Sequence, residues 1–250
     1  MTEMDTVNQS EQPEVPEVVV SCSTGRGVTP SYWKHFSCYE LSAQDVETRV
    51  ARLRQWRETA PSQGIFVARI APEVITEMSS PDRGISSSAE AEIARALSRV
   101  EALHSPLLLL HTPSKVRPSR QHEAGLRILR ERLPTDLPLA WRADGLWGES
   151  ESHIELCQEL GITPVIDPLM WDEEAPLPQG ALGYWRVMGG AGLSPRLSEY
   201  EVDKLLDLAD QWLTEAQSRE TVFNLPRLWV HFTAVQMERV AQRWRETMGV

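Results

Sequence analysis

The chain has 250 residues, of which 41% are hydrophobic and 24% charged, and its formal net charge at pH 7 is -11. This composition is typical of a globular domain, and the charge argues against nucleic acid as a partner, because no basic stripe is present to displace phosphate counterions. No apolar stretch is long enough to span a bilayer, and the acidic, polar N-terminus lacks the features of a signal peptide. Three widely spaced cysteines suit a reducing compartment, so the sequence predicts a cytoplasmic protein without disulfides.

Eight short apolar runs follow one another along the chain, after an acidic segment at 1–16 that we expect to be a flexible tail. The runs cover residues 17–23, 38–41, 65–70, 106–111, 138–142, 163–167, 181–188 and 228–233. Continuous apolar runs are typical of strands buried on both faces, and repeated strand-then-helix order predicts parallel pairing with helices outside. Eight such units in a domain at 17–250 indicate a single α/β barrel of the (β/α)8 TIM type.

Most connections between the runs carry apolar residues at three- and four-residue steps, the pattern of an amphipathic helix. These segments are 44–59, 89–103, 121–133, 151–160, 199–216 and 235–248. Two connections depart from the pattern. Residues 72–88 are polar with Pro and Gly and predict a long loop, and the prolines at 168–180 exclude a regular helix from the sixth connection.

Several short motifs occur in the order in which they occur in a known family. They are 32–40 (YWKHFSCYE), 64–72 (GIFVARIAP), 106–113 (PLLLLHTP), 139–147 (LAWRADGLW), 165–167 (VID) and 185–189 (WRVMG). Together these segments resemble the YecE-like proteins, bacterial and archaeal proteins known mainly as a domain of unknown function with a barrel fold. The resemblance extends from about Val18 to the last helix, and it implies a TIM-type barrel while leaving the activity open.

The resemblance also implies which polar positions this chain keeps and which it has lost. The kept positions are Glu40, Arg142, Trp147, Asp167, Arg186 and Gly189. Ala140, Ala143 and Met188 stand where the family has a glutamate and two histidines, and His111 stands in place of a glutamine. Because the losses remove proton-transfer groups and leave the arginines, the sequence predicts a divergent member with reduced or no catalysis.

Residues at the C-terminal ends of different barrel strands converge on one mouth. Arg142 and Arg186 could hold a phosphate or carboxylate there, because each guanidinium offers paired donors to two oxygens. Trp147 could stack on such a ligand or simply cover the end of the barrel, and the glycines after the seventh strand could bind an anion through backbone amides. The predicted ligand-binding set is Glu40, His111, Arg142, Trp147, Asp167, Arg186, Gly189 and Gly190.

Two other interpretations of the same residues stay open. Arg142 and Arg186 could pair with Glu40 and Asp167 in an internal network that fixes the register of the barrel, which would leave an interaction or scaffold protein. Alternatively, a metal-assisted hydrolase or isomerase would use Glu40, His111, Asp167 and His231 as ligands, although the sequence assigns no metal site.

The sequence predicts no cofactor and assigns no catalytic residue. Gly25 and Gly27 form too short a pattern for a dinucleotide-binding loop. Hydroxyl groups occur near strand ends at Ser21, Ser23 and Ser42, but none lies in a nucleophile-elbow pattern, and spacing alone gives them no base. A small anionic ligand is therefore the expected partner, with neither nucleic acid nor a membrane, and protein partners cannot be named.

Overall fold

The computed structural model describes residues 18–24, 27–78, 85–148, 151–172, 175–178, 180, 182–188, 197–216 and 227–250. The predicted N-terminal tail lies outside these residues. The strands are β1 Val18–Cys22, β2 Cys38–Glu40, β3 Ile65–Ile70, β4 Leu108–Thr112, β5 Leu139–Ala143, β6 Thr163–Ile166, β7 Gly183–Val187 and β8 Leu228–Phe232. The α-helices are α1 Val50–Thr59, α2 Glu73–Met78, α3 Ser87–Leu103, α4 Arg120–Arg132, α5 Glu151–Leu160, α6 Glu199–Ala216 and α7 Glu238–Met248.

The strands form one parallel sheet in the order β1, β8, β7, β6, β5, β4, β3, β2. The first and last strands of the chain are hydrogen-bonded neighbours, with Ser21 in register with His231. β2, at the other end of the order, also lies beside β1, so the sheet curves into a nearly closed barrel. The predicted single (β/α)8 TIM-type fold is confirmed.

Both faces of the strands are buried, which explains their continuous apolar runs. The side chains that fill the barrel form one cluster, composed of Val19, Cys38, Val67, Leu107, Leu109, Ala140, Val165, Leu182, Tyr184 and Trp229. The alternate residues of the same strands pack against the surrounding helices in two further clusters. Above the apolar filling, the inward-facing positions at the C-terminal strand ends are polar.

Local signals in the sequence fix where several helices begin and how closely they pack. The side chain of Ser86 caps α3 by accepting the N–H of Ala89 at 3.1 Å, and Ser119 caps α4 in the same way through the N–H of His122. Helix α6 lies so close to β7 that a Cβ atom at Gly183 would come within 2.9 Å of the Trp212 ring. A glycine is therefore required at this contact.

Of the two connections predicted to be irregular, the first contains a short helix and the second agrees with the prediction. The prediction of a long loop at 72–88 is wrong in part, because Glu73–Met78 forms α2 and α3 already begins at Ser87. Val74 and Ile75 are buried and hold this short helix on the protein, a signal outweighed in the sequence by the neighbouring Pro, Gly and Ser residues. Between β6 and β7 the described residues contain no helix, as the prolines predicted. No helix in the described part of the chain has the length and apolarity needed to cross a membrane.

Candidate functional site

A layer of charged and hydroxyl side chains covers the apolar filling at the C-terminal mouth of the barrel. Its members lie on seven of the eight strands or directly follow one, so the parallel fold itself brings them together. The layer contains Ser21, Glu40, Arg69, His111, Arg142, Asp144, Tyr184, Arg186 and His231. Glu40, His111, Arg142 and Arg186 were predicted at this mouth from the sequence.

Glu40 lies at the centre of one half of the layer, with its side chain only 2% exposed. Its carboxylate accepts a hydrogen bond from the Tyr184 hydroxyl at 2.6 Å and from Nη1 of Arg186 at 2.5 Å. Burial alone would raise the pKa of Glu40, but the surrounding positive charges, led by that of Arg186, and the hydrogen bond from Tyr184 together outweigh burial and lower that pKa well below its usual range. The same pairing raises the pKa of Arg186 despite burial, so both groups are ionised.

In the other half of the layer, His111 links Arg69 to Asp144. Its Nδ1 lies 2.5 Å from Nη2 of Arg69, which can only donate, so the imidazole proton resides on Nε2 and is donated to Asp144 at 2.7 Å. Burial lowers the pKa of His111, which keeps the ring neutral. Asp144 also accepts two hydrogen bonds from Arg142, at 2.8 and 3.2 Å, and these contacts together lower the pKa of its carboxyl.

Asp167 plays a different part from the one expected. Its carboxylate accepts the backbone N–H groups of Leu169 and Met188, at 3.1 and 2.9 Å, and so ties the end of β6 to the end of β7. Among the described residues it makes no ion pair with Arg142 or Arg186. The internal network suggested by the sequence therefore exists, but Asp144 replaces Asp167 in it.

Trp147 lies outside the mouth. After β5 the chain turns at Gly145, which has a φ of 62°, and a short 3-10 helix at Gly145–Trp147 returns the tryptophan to the outer core. The Trp147 ring is 2% exposed and packs edge-on against Trp141, with 5.2 Å between the ring centroids. The ring therefore packs in the outer core, where it neither stacks on a ligand at the mouth nor covers the end of the barrel.

The other groups predicted at the mouth are a glycine pair after β7 and a possible set of metal ligands. Gly189 and Gly190 lie outside the described residues. Within the part of the chain that is described, no three His, Cys, Asp or Glu side chains gather as a metal site would require. His111 is bound to Asp144, His231 lies beside Glu40, and Asp167 is engaged by the backbone, so the ligand set of the metal hypothesis is not assembled.

Arg69 and Asp144 belong to the layer and were missed in the sequence. Arg69 is the one charged residue in the apolar run that forms β3, and this pattern could have indicated a charge inside the barrel. In the structure Arg69 is only 6% exposed. Asp144 looked like an ordinary loop residue because it follows β5. With both histidines neutral, the layer holds three guanidinium groups against two carboxylates, which leaves one positive charge unbalanced. Such a mouth can attract and bind an anion.

Two buried histidines predict how stability depends on pH. Burial lowers the pKa of His153 in the outer core, and of His231 at the mouth, to about 4 each. Between pH 6.5 and 4 the unfolded chain binds these protons and the folded chain does not, so stability should be complete above about pH 6.5 and fall by up to ~3 kcal/mol per histidine on acidification. Urea unfolding at a series of pH values would measure this loss.

His153→Phe serves as the control for that measurement. The ring packs edge-on against Trp141, and phenylalanine preserves this contact without a titratable group. The variant should lose markedly less stability than the parent between pH 6.5 and 4.5. Protonation of Glu40 adds to the loss of stability only at lower pH. Identical slopes for the two proteins would contradict the assignment.

A second concavity lies outside the barrel, between the sixth connection and α6. This cleft has a volume of about 470 Å³ and is lined mainly by Trp171, Pro176, Leu177, Lys204, Leu208 and Trp212. The indole N–H of Trp171 donates to the carbonyl of Pro176 at 3.2 Å, which holds the ring in the wall of the cleft. None of the described residues that line the cleft belongs to the polar layer.

The comparisons with known proteins concern the fold. No protein-family model matches the chain, and no curated protein matches its sequence. Solved structures do match. A DUF72 family protein from Enterococcus faecalis is 14% identical with a TM-score of 0.68, over 95% of this chain and 99% of that one. A DUF72 family protein from Thermotoga maritima is 18% identical with a TM-score of 0.67, over 93% and 99%.

A more distant structural match is a fusion protein of a xylose isomerase-like TIM barrel with a 4-hydroxyphenylpyruvate dioxygenase. It is 13% identical with a TM-score of 0.54, and the match covers 88% of this chain but 39% of that one. At such identities the likeness concerns the fold alone. The structure of this chain is thus similar to TIM-type barrels of the DUF72 family along nearly its whole length.

Proposed function

We propose that the mouth of this barrel binds a small molecule that carries a phosphate or carboxylate group. The observation that supports the proposal is the excess of guanidinium groups over carboxylates in the polar layer. Arg69 has no carboxylate within ion-pair distance among the described residues, and its one polar side-chain contact there is His111. The positive charge of Arg69 is therefore not neutralised by a paired carboxylate among the described residues.

The paired arginines also retain donors for a ligand. The Nε atom of Arg186 is shielded from solvent and has no hydrogen-bond partner among the described residues, which is costly unless a ligand or water occupies that position. Arg142 has the more accessible side chain of the two, 18% exposed against 11% for Arg186. An anion that approaches the mouth would therefore meet Arg142 first.

The opposing interpretation, a mouth closed by internal ion pairs, has its own support. Arg186 is paired with Glu40, and Arg142 with Asp144, as an internal network requires. Neither pair uses Arg69, however, so the pairs reduce the positive charge of the mouth without cancelling it. We accordingly favour ligand binding over a purely structural role.

The proposal also covers the family of the chain and its location in the cell. We infer that the chain is a divergent YecE-like protein of the DUF72 family. The order of its motifs along the sequence and the extent of its structural likeness support this inference. The cysteines Cys22, Cys38 and Cys157 are buried and unpaired, as a reducing cytoplasm would allow. The absence of a nucleic-acid partner stays a prediction from the net charge of -11, and the absence of a membrane partner stays a prediction from the lack of a long apolar stretch.

Binding of inorganic phosphate and of succinate, measured by thermal shift and by calorimetry, tests the proposal. Each anion should raise the melting temperature, because it binds only the folded chain. Arg142→Ala should weaken binding by ~10- to 100-fold, the loss of one or two hydrogen bonds to a charged group. The variant should fold, since Asp144 is 29% exposed and retains His111.

Arg127→Ala is the matched control. Arg127 lies on α4, away from the mouth, and its side chain is paired with Glu159 on the surface. This variant should bind both anions as the parent does. Equal binding by the parent and by Arg142→Ala would refute the site, and equal weakening in both variants would show only nonspecific charge attraction.

A further inference from the structure

His231 has a hydroxyl group within hydrogen-bond distance of each ring nitrogen. Ser23 Oγ lies 2.9 Å from Nε2, and Ser21 Oγ lies 2.8 Å from Nδ1. The carboxylate of Glu40 is the next neighbour of Nδ1, at 3.7 Å. The pairing of β1 with β8 produces this arrangement, because Ser21 and His231 are in register and Ser23 follows one pleat above.

The surroundings decide which nitrogen carries the proton. The negative charge of Glu40 attracts the proton to Nδ1, where it can be donated to Ser21. Nε2 is then an acceptor, and the hydroxyl of Ser23 donates to it. A serine hydroxyl that donates to an imidazole nitrogen is the contact by which serine nucleophiles are activated. At the opposite nitrogen Ser21 takes the place of the usual carboxylate, and Glu40 lies 3.7 Å from that nitrogen.

Burial and the surrounding charges together set the charge state of the ring. Burial lowers the pKa of His231 to about 4, Glu40 on β2 opposes this shift, and the arginines of β3, β5 and β7 reinforce it. Those arginines are Arg69, Arg142 and Arg186. His231 is therefore neutral at pH 7.

Access distinguishes Ser23 from Ser21. Ser21 and His231 are each 3% exposed and lie beneath the mouth. Ser23 is half-buried at the end of β1, so its hydroxyl is the member of this group that a bound molecule can reach. On the neighbouring strand, Arg186 is in register with His231 and can stabilise negative charge that develops nearby.

We propose that Ser23 is a nucleophile and His231 its general base, and that the barrel hydrolyses carboxylic esters whose acid part carries a second anionic group. The Oγ of Ser23 bonds to the ester carbonyl carbon and its proton passes to Nε2 of His231. The carbon–oxygen bond to the leaving alcohol then breaks, and the alcohol oxygen takes that proton. Water hydrolyses the resulting acyl-serine, which releases the acid and restores Ser23.

A catalytic Ser23–His231 pair departs from the reduced or absent catalysis that the sequence predicts. Reduced or absent catalysis was inferred from Ala140, Ala143 and Met188, which occupy positions where the family has proton-transfer groups. His231 lies on a different strand and was not part of that comparison. The preference for an anionic ester rests on the proposed anion site, whereas the Ser23–His231 pair does not.

Labelling by a fluorophosphonate probe tests the nucleophile. The parent should gain one probe mass per chain, and peptide mapping should place it on Ser23. Ser23→Ala should abolish the label, and His231→Gln should slow labelling on the order of 100-fold, as removal of a general base does. Ser42→Ala is the matched control, because Ser42 is an exposed serine at the same end of the barrel whose hydroxyl only accepts the N–H of Asp45.

The pH dependence of labelling separates His231 from an exposed histidine. With a base whose pKa is about 4, the labelling rate should be flat from pH 6 to pH 8. A rise across that range would indicate an ordinary exposed histidine and overturn the assignment. A label on any serine other than Ser23, or no label on the folded parent, would overturn it as well. Melting curves of each variant would check that it is folded.

Two chromogenic esters distinguish failure of this proposal from failure of the anion site. 4-Nitrophenyl hemisuccinate carries a carboxylate, and 4-nitrophenyl butyrate is a neutral ester of similar length. The parent should release nitrophenol faster from the hemisuccinate, and Arg142→Ala should remove that preference while Ser23 still reacts with the probe. Labelling without any preference would refute the anion site alone, and succinate binding without labelling would refute the nucleophile alone.

Discussion

Replacing Arg186 with alanine should destabilise the barrel by about 3 to 5 kcal/mol, because the substitution leaves Glu40 as an uncompensated charge in the interior. The Glu40 side chain is 2% exposed, and with Arg186 gone its carboxylate would retain, among the described residues, the hydrogen bond from Tyr184 and the more distant His231. Chemical unfolding of the parent and the variant at pH 7 would measure the loss.

A double substitution separates the lost pair from lost packing. In Arg186→Met/Glu40→Gln neither side chain is charged and the volumes are similar, so much of the stability should return. If the double variant is as unstable as Arg186→Ala, the cost lies in packing rather than in the unpaired carboxylate. Arg186→Ala is for the same reason a poor probe of anion binding, and Arg142 is the better one.

Replacing Glu92 with alanine should cost a similar 3 to 5 kcal/mol, about the penalty for breaking a buried ion pair. Glu92 on α3 accepts hydrogen bonds from the guanidinium of Arg99 at 3.0 and 3.2 Å, and from the backbone N–H of Ala71 at 3.0 Å. Arg99 in turn donates to the carbonyls of Arg69 and Val46. The pair thus fastens α3 to the end of the strand that carries Arg69.

Glu101→Ala on the same helix is the control for Glu92→Ala, because Glu101 is exposed and its loss should change stability by no more than ~0.5 kcal/mol. Thermal melts should show a drop on the order of 10 °C for Glu92→Ala and almost none for the control. Comparable melting temperatures for the two variants would show that Arg99 finds another partner or a water molecule.

The order of the strands could be predicted because burial on both faces leaves a strong and local pattern. The run at 65–70 coincides with β3, and the run at 228–233 is one residue longer than β8. The helix predicted at 89–103 begins two residues earlier, at Ser87, because its cap is Ser86. The barrel follows from such segments, since parallel pairing and outer helices allow few other topologies.

The partners within the mouth could not be predicted in the same way. The two sides of the Ser23–His231 contact are 208 residues apart in the sequence, so no spacing rule connects them. Asp144 was overlooked in favour of Asp167, because a carboxylate at a strand end does not reveal whether it faces side chains or backbone amides. The sequence predicts Trp147 at the mouth because nothing in it shows that a turn at Gly145 carries the tryptophan outward.

The pairing of β1 with β8 has a consequence for how the molecule is made. During synthesis β1 emerges first and keeps an unpaired edge towards β8 until the last strand has left the ribosome, which is a long wait for a strand whose side chains are all buried. Contacts this far apart in sequence also close slowly. The polar group at that junction is accordingly assembled last, so reactivity at Ser23 would report the arrival of the completed barrel during folding.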